Sequence, residues 1–412
     1  MRVPSSHLYR NAVILGLLSA IGPFAIDMYL PALPSIGKTL HANPAGVQMS
    51  LTAFFISLAF GQLVYGPIAD MVGRKPPLYA GLALFTLGSI GCALAPDITT
   101  LIGFRFLEGF GACAGMVMPL AIARDLHTGA EAARLMSLVG LVFSVSPILA
   151  PLTGSIVIAW ASWRVVFWIV AGVAVLGMMM IAFFLPETRT AGTRIEAGAV
   201  AALRGYSLLL CDLRFVGTAL IAAASMASFF AYLAVSSFVM IGHYHLTPGE
   251  YGAAFSINAT SFIGASQFNA MLIRRFGMRP VVRRAVTGYA VTMTLLLVLT
   301  LAGWDQLGLL IGLLLLGFGF LGLVGPTIGV LALEPHGPIA GTASALLGTI
   351  QFVVGAAVMA LVGIFPTTSS LPMVASIAVC SWFTLLLARV TLRQSRPSQN
   401  LRAPVSAVEV KS

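Results

Sequence analysis

Three ionisable side chains, Asp27, Arg105 and Glu108, stand inside long apolar stretches. A charge at membrane depth costs about 2.5–3.5 kcal/mol on insertion scales, so it persists when it is paired, neutralised or set against water. Asp27 lies in Ile26-Asp27-Met28-Tyr29-Leu30-Pro31. Desolvation favours the neutral form of a carboxyl, which makes Asp27 a candidate proton carrier. The competing reading is a helix-end aspartate near the outer interface, held by Tyr29 or by a backbone group, because Pro31 is only one turn away. Arg105 and Glu108 are three residues apart, on one face of a helix. They can neutralise each other as a structural pair. Alternatively, Arg105 can tune a carboxylate as a proton moves, since a nearby cation disfavours protonation.

The uncharged polar residues at depth are Tyr29, Gln62, Tyr232, Asn258, Gln267, Asn269 and Gln351. Each can line a central cavity for a small molecule, or bridge two helices through a hydrogen bond of about 1 kcal/mol. The 17 Met and 25 Phe suit a cavity for varied apolar ligands and equally suit packing against lipid. Cys92, Cys113, Cys211 and Cys380 have no metal-ligand spacing and read as small core residues. His243 and His245, two apart, are weak metal candidates and fit a solvated loop better. No Gly-x4-Gly-Lys-Ser/Thr loop is present. An ionic energy source is therefore expected, with protons as the coupling ion and neither cofactor nor metal.

The elements that must hold these groups follow from composition. Of 412 residues, 58% are hydrophobic and 9% charged, against about 25% charged in soluble domains. Twelve apolar segments are expected near 11–33, 47–67, 77–96, 99–123, 134–159, 163–185, 214–241, 250–273, 282–303, 306–332, 339–364 and 369–391. As helices they can cross about 30 Å of hydrocarbon. The expected fold is an all-α membrane protein of twelve transmembrane helices in two six-helix halves.

The net charge of +10 is spread over the loops, not gathered into one patch interleaved with aromatics, so no nucleic-acid partner is expected. With the N-terminus inside, twenty of the 23 basic residues fall on the cytoplasmic side, against Lys38 and Arg164 on the other. That bias predicts an inner-membrane protein with both termini in the cytoplasm. Arg2 and Arg10 precede the first segment, which reads as an uncleaved helix. The expected organisation is an N-terminal half over 1–186, a cytoplasmic loop over 187–213, a C-terminal half over 214–392 and a disordered tail over 393–412. The loop after the second segment, Gly66 to Pro76, is echoed after the eighth by Arg274-Arg275-Phe276-Gly277-Met278-Arg279-Pro280. Internal repeats of this kind occur in transporters with a substrate site between the halves.

Gly66-x-x-x-Asp70-x-x-Gly73-Arg74-Lys75 resembles the loop 2–3 signature of the major facilitator superfamily, with Met71 where a basic residue often follows the aspartate. Ile26-Asp27-Met28-Tyr29-Leu30-Pro31-Ala32-Leu33-Pro34 resembles the first-helix motif of its Bcr/CflA drug-resistance branch. Arg105-Phe106-Leu107-Glu108-Gly109-x-Gly111 is similar to the fourth-helix motif with its embedded arginine, except that Glu108 stands where the family usually has a neutral residue. Ala123-Arg124-Asp125-Leu126, Trp163-Arg164-x-x-Phe167-Trp168, Leu185-Pro186-Glu187-Thr188 and Glu334-Pro335 through Ala345 also fit. The fifth-helix antiporter motif is reduced to Ser137, Ser146, Ala150-Pro151 and Gly154, which keeps small residues for close helix approach and keeps the proline kink.

The resemblance implies a monomeric, proton-coupled exporter of small amphipathic drugs, chloramphenicol- or bicyclomycin-like, working by alternating access in the lipid bilayer. A proton-coupled transporter of an amino acid, peptide or sugar is the alternative. A lipid-modifying enzyme is disfavoured, because the short non-cytoplasmic loops hold no catalytic constellation. The resemblance also implies a latch. Asp70 accepts N–H groups at the start of the eleventh segment near Gly341, where the helix dipole is positive, and Arg74 pairs with Asp125.

Overall fold

The computed structural model describes residues 8–127, 129–188, 198–365 and 369–392. The expected tail over 393–412 and residues 189–197 of the central loop lie outside them. The described residues form fifteen α-helices and no strand. They are α1 (Leu8–Asp27), α2 (Leu33–Thr39), α3 (Pro44–Val72), α4 (Lys75–Leu94), α5 (Ile98–Leu126), α6 (Gly129–Trp160), α7 (Arg164–Phe184), α8 (Gly198–Cys211), α9 (Leu213–Ser237), α10 (Pro248–Gln267), α11 (Asn269–Phe276), α12 (Met278–Leu301), α13 (Leu307–Leu333), α14 (Ala340–Gly363) and α15 (Leu371–Thr391). Short 3-10 turns join α1 to α2 and α13 to α14, and a π-helical turn over Phe238–His243 extends α9.

Helix starts are written locally. Asn43 caps α3 by accepting the Gly46 N–H at 2.8 Å, and Pro44 fills the first turn, where no donor is needed. Asp97 caps α5 through the Thr100 N–H and hydroxyl. Thr247 and Glu250 form a capping box on α10.

Eleven helical segments among the described residues are long and apolar enough to cross a membrane. The twelfth crossing, α10, has 20 residues and therefore spans about 30 Å. It misses the apolar criterion because it carries Ser256, Asn258, Thr260, Ser261, Ser266 and Gln267. Buried Ser256 donates to Ile148 O on α6 at 2.7 Å and Ser261 to Leu315 O on α13 at 2.7 Å, so these polar groups are satisfied within the bundle. The central segment also differs from the expected plain loop. It holds α8, whose Leu209 is buried and whose Tyr206 Oη donates to Leu63 O at 3.4 Å, placing the helix between α3 and α14.

Leu8 and Leu392 share one face of the bundle, the terminal face. The halves meet mainly where α3 packs on α14 and α6 on α10. These contacts concentrate toward the opposite, far face. Gln48 presses against Gly363, where an added Cβ would fall 2.4 Å from Gln48 Oε1. Phe55 meets Phe230 with ring centroids 4.7 Å apart. Toward the terminal face, Gly66, Gly140, Gly264 and Gly341, one on each of these four helices, have open space around them. On the far face the two halves are in direct contact.

Candidate functional site

Asp27 is the last residue of α1, buried, at the seam between the halves. Its neighbour Met28 rests on α6: a Cβ at Gly154 would lie 2.4 Å from Met28 O, so only glycine permits this approach. The turn Leu30–Ala32 touches α6, α9 and α10. Tyr251 of α10, hydrogen-bonded to Ser236 at 3.0 Å, is the electrostatic neighbour of the Asp27 carboxyl. Among the described residues Asp27 has no hydrogen bond and no ion pair.

The expected partnership of Asp27 with Arg105 is not formed. Arg105 and Glu108 are both fully buried and pair with each other at 2.7 Å. Glu108 turns toward α4, where Ser89 donates to its other oxygen at 2.7 Å and the Cys92 thiol lies at 3.8 Å. Gly88 makes room, since a Cβ there would sit 2.6 Å from Glu108 N. Arg105 points the other way, donating to Ala25 O at 3.2 Å. Its guanidinium lies over the rings of Phe54 at 4.2 Å, Tyr29 at 4.5 Å and Phe167 at 5.8 Å. Aromatic faces attract the cation, yet Nε and Nη2 have no hydrogen-bond partner among the described residues. The local pair anticipated from the spacing is therefore present, walled inside the N-terminal half.

The cavity-lining expectations divide. Tyr29 is not at a cavity wall. It is buried under Arg105 and bonded to Ser50 at 2.6 Å. Tyr232 and Asn258 come together in the C-terminal half, where Asn258 Nδ2 donates to Tyr232 Oη at 3.3 Å amid Phe229, Phe255 and Phe318. Asn258 Oδ1 is buried without a partner. Gln62 and Gln351 are half-buried on α3 and α14, with Gln62 beside Gly348. Gln267 is exposed and bonds within its own segment, to Ile263 O and Ser266, so it departs from the expected cavity. Asn269 bridges α11 to α13 through Leu323 O and Thr327.

At the terminal face Arg74 reaches Asp125 at 2.8 Å, as expected, and also Asp70 at 3.0 Å. Gly73 has a φ of +102°, which its missing side chain permits, and the Glu187 carboxyl packs against it. Glu187 accepts the backbone N–H groups of both Arg74 and Lys75 at 3.0 Å, closing the start of α4. The other expected arm of the latch is not assembled, because Gly341 is exposed in open space and Asp70 faces Arg74. Ala150, Pro151 and Gly154 are buried within α6, where Ser155 Oγ takes up Pro151 O at 2.7 Å.

Sequence reasoning missed a far-face cluster. Asp305 accepts from Ser370 at 2.6 Å, from Tyr244, and meets His243 Nε2 at 2.8 Å. Burial works against ionisation of Asp305, but these hydrogen bonds outweigh it and hold its carboxyl below the ordinary value. The His243–Asp305 distance in sequence gave no signal of this. No group of three metal-ligating side chains occurs among the described residues.

The Major Facilitator Superfamily model matches residues 15–360. The chain is 37% identical over 364 residues to the uncharacterised MFS-type transporter YdgK of Bacillus subtilis, covering 87% of this chain and 89% of that one. It is 30% identical over 381 residues to the bicyclomycin resistance protein homolog of Haemophilus influenzae, covering 90% and 93%. The solved inward-open conformation of the xylose transporter XylE from E. coli superposes with a TM-score of 0.73 at 15% identity, covering 96% and 98%, a likeness of fold alone. A bundle of membrane-length helices in two halves, matched over most of its length by transporters and by a resistance protein, is not an enzyme scaffold. The chain belongs to the Major Facilitator Superfamily of transporters, in its drug-resistance branch.

Proposed function

We propose that this protein exports small amphipathic drugs, bicyclomycin- or chloramphenicol-like, in exchange for protons, with the terminal face in the cytoplasm. The observation that carries the reading is the contrast between two buried carboxyls. Glu108 is committed to Arg105, Ser89 and Cys92. Asp27 is buried at the seam of the halves without an ion pair or hydrogen bond among the described residues. A carboxyl so placed is neutral when shut away and can ionise when the halves open and water reaches it. A proton taken up from the far side relieves the cost of burying Asp27, favours far-face closure, and is released once the terminal side admits water. Coupling follows if substrate and proton favour opposite states.

Arg105 acts here through position. It fixes the end of α1 through Ala25 O, two residues before Asp27. The neutral aromatic and amide cluster of Tyr232, Asn258, Phe229, Phe255 and Phe318 is the substrate-facing part, where an apolar ligand finds stacking surfaces and one unpaired carbonyl oxygen. The likeness to the bicyclomycin resistance protein homolog of Haemophilus influenzae supports this substrate class.

The test compares wild type with Asp27→Asn in a drug-sensitive host and in vesicles with an imposed pH gradient. Wild type should raise resistance to bicyclomycin or chloramphenicol and acidify the lumen on drug exchange, and Asp27→Asn should lose both. Full resistance and full proton flux in Asp27→Asn would falsify the assignment of Asp27.

A further inference from the structure

The last turn of α11 and the start of α12 gather Arg274, Arg275, Arg279, Arg283 and Arg284, and none has a carboxylate partner among the described residues. Arg279, Arg283 and Arg284 line a cleft of about 640 Å³ at the terminal face, with Pro280, Thr287 and the α15 cap Leu392. A second cleft adjoins it through Arg279 and Leu392 and adds Arg214. Of the acids on that side, Asp212 is taken by His336 at 3.3 Å and by the α9 cap, and the exposed Glu334 adjoins Pro335 of the second cleft, outside the lining of the first. The cleft is therefore a concave, positively charged site without an internal counter-ion.

Its surroundings say what kind of anion fits. On α12 the exposed residues Val291, Leu295 and Val298 continue, at helical spacing, the face that carries Arg284 and Thr287. On α15 the exposed residues Phe383, Leu386 and Val390 form a matching stripe at helical spacing. Trp382 Nε1 ties the two helices together by donating to Thr294 at 2.7 Å. An apolar wall two helices wide thus stands directly above three unpaired guanidinium groups. Guanidinium forks match phosphate oxygens, and basic pockets between membrane helices hold anionic headgroups.

We propose that this cleft binds the phosphate of an anionic phospholipid from the leaflet at the terminal face, with the acyl chains lying along α12 and α15. Topology signalling alone needs basic residues in the loop. It does not need three of them around one cleft beneath an apolar wall. The site lies outside the seam of the halves and stands whether or not the export reading holds.

The experiment is native mass spectrometry of the full-length protein in detergent with added phosphatidylglycerol or phosphatidylcholine. Three forms are compared: wild type, the triple variant Arg279→Gln/Arg283→Gln/Arg284→Gln, and a control, Arg124→Gln/Arg134→Gln/Arg204→Gln. The control removes equal charge from exposed positions on the same face, outside the cleft. Wild type and control should retain phosphatidylglycerol over phosphatidylcholine, and the cleft variant should lose about tenfold or more of that preference. Equal retention in the cleft variant, or an equal loss in the control, overturns the site. Inorganic phosphate at millimolar concentration should not displace the lipid. If it does, and stabilises the protein against heat as well as the lipid, the cleft is a free-anion site and the lipid assignment fails. Should the triple variant not fold, Arg283→Gln alone gives the same readout with a smaller loss, and no loss there counts against the proposal.

Discussion

At the loop between α3 and α4, Arg74 reaches Asp70 and Asp125, while Glu187 takes the backbone N–H groups of Arg74 and Lys75. Around the matching junction of α11 and α12, five arginines meet no carboxylate among the described residues. The contrast continues at depth. The N-terminal half encloses an ion pair, Arg105–Glu108, in a box of aromatic rings. The mid-depth core of the C-terminal half holds no charge, only a neutral cluster around Tyr232 and Asn258. Two copies of one helical plan have thus specialised. The first keeps its charges paired internally. The second keeps a neutral interior and turns its charge outward.

The comparison breaks most visibly at Glu108. Glu108→Gln should destabilise the protein by about 3–5 kcal/mol, because it leaves the Arg105 cation buried and uncompensated. Unfolding in detergent measures this. The double variant Arg105→Gln/Glu108→Gln should recover much of the loss, and a simple sum of the two single losses would show that the pair does not act as a unit. In the neutral half the matching change is smaller. Tyr232→Phe strands the Asn258 amide and should cost about 1–3 kcal/mol, with drug transport falling alongside stability. Unchanged unfolding and transport would remove Tyr232 from the site.

The smallest effect sharpens the contrast at a place where the C-terminal half does pair a carboxyl, the far-face Asp305. Its hydrogen bonds favour the ionised form in the folded protein. Their contribution is therefore complete above the unfolded-state value of about 3.9 and is lost as pH falls through the lower folded value. The stability gap between wild type and Asp305→Asn should stay level from neutral pH down to about pH 5, then narrow below about pH 4. A gap that narrows already between pH 7 and pH 6 would sink this account of Asp305.

Much of this was legible in the chain because lipid leaves few choices. Apolar runs of membrane length announced the helices, and Arg105–Glu108 spacing announced a shared face. Arg74 and Asp125 met as the family motif implied. What could not be read was direction. Asp27 and Arg105 sit at similar depth, but Glu108 and three rings claim the arginine first. Side-chain azimuth depends on partners distant in sequence, and no local pattern encodes it. The same holds for α10, expected as a membrane segment over 250–273: that Ser256 bonds Ile148 on α6 and Ser261 bonds Leu315 on α13 could not be read from the sequence. Glu187 sat in a recognised motif, yet its task needed the left-handed turn at Gly73 to bring α4 to it.

Gln48 is buried against Gly363 with both its amide oxygen and nitrogen unbonded among the described residues. With the far side shut, this amide has given up water and received nothing back, a debit comparable to a forfeited hydrogen bond. Under the alternating-access reading proposed above, that debit acts as a spring favouring reopening of the far side. Gln48→Leu would remove the spring, and a longer-lived shut gate with slower turnover, seen by single-molecule distance measurement, is the expected signature. An unchanged dwell time would mean that water follows the amide in.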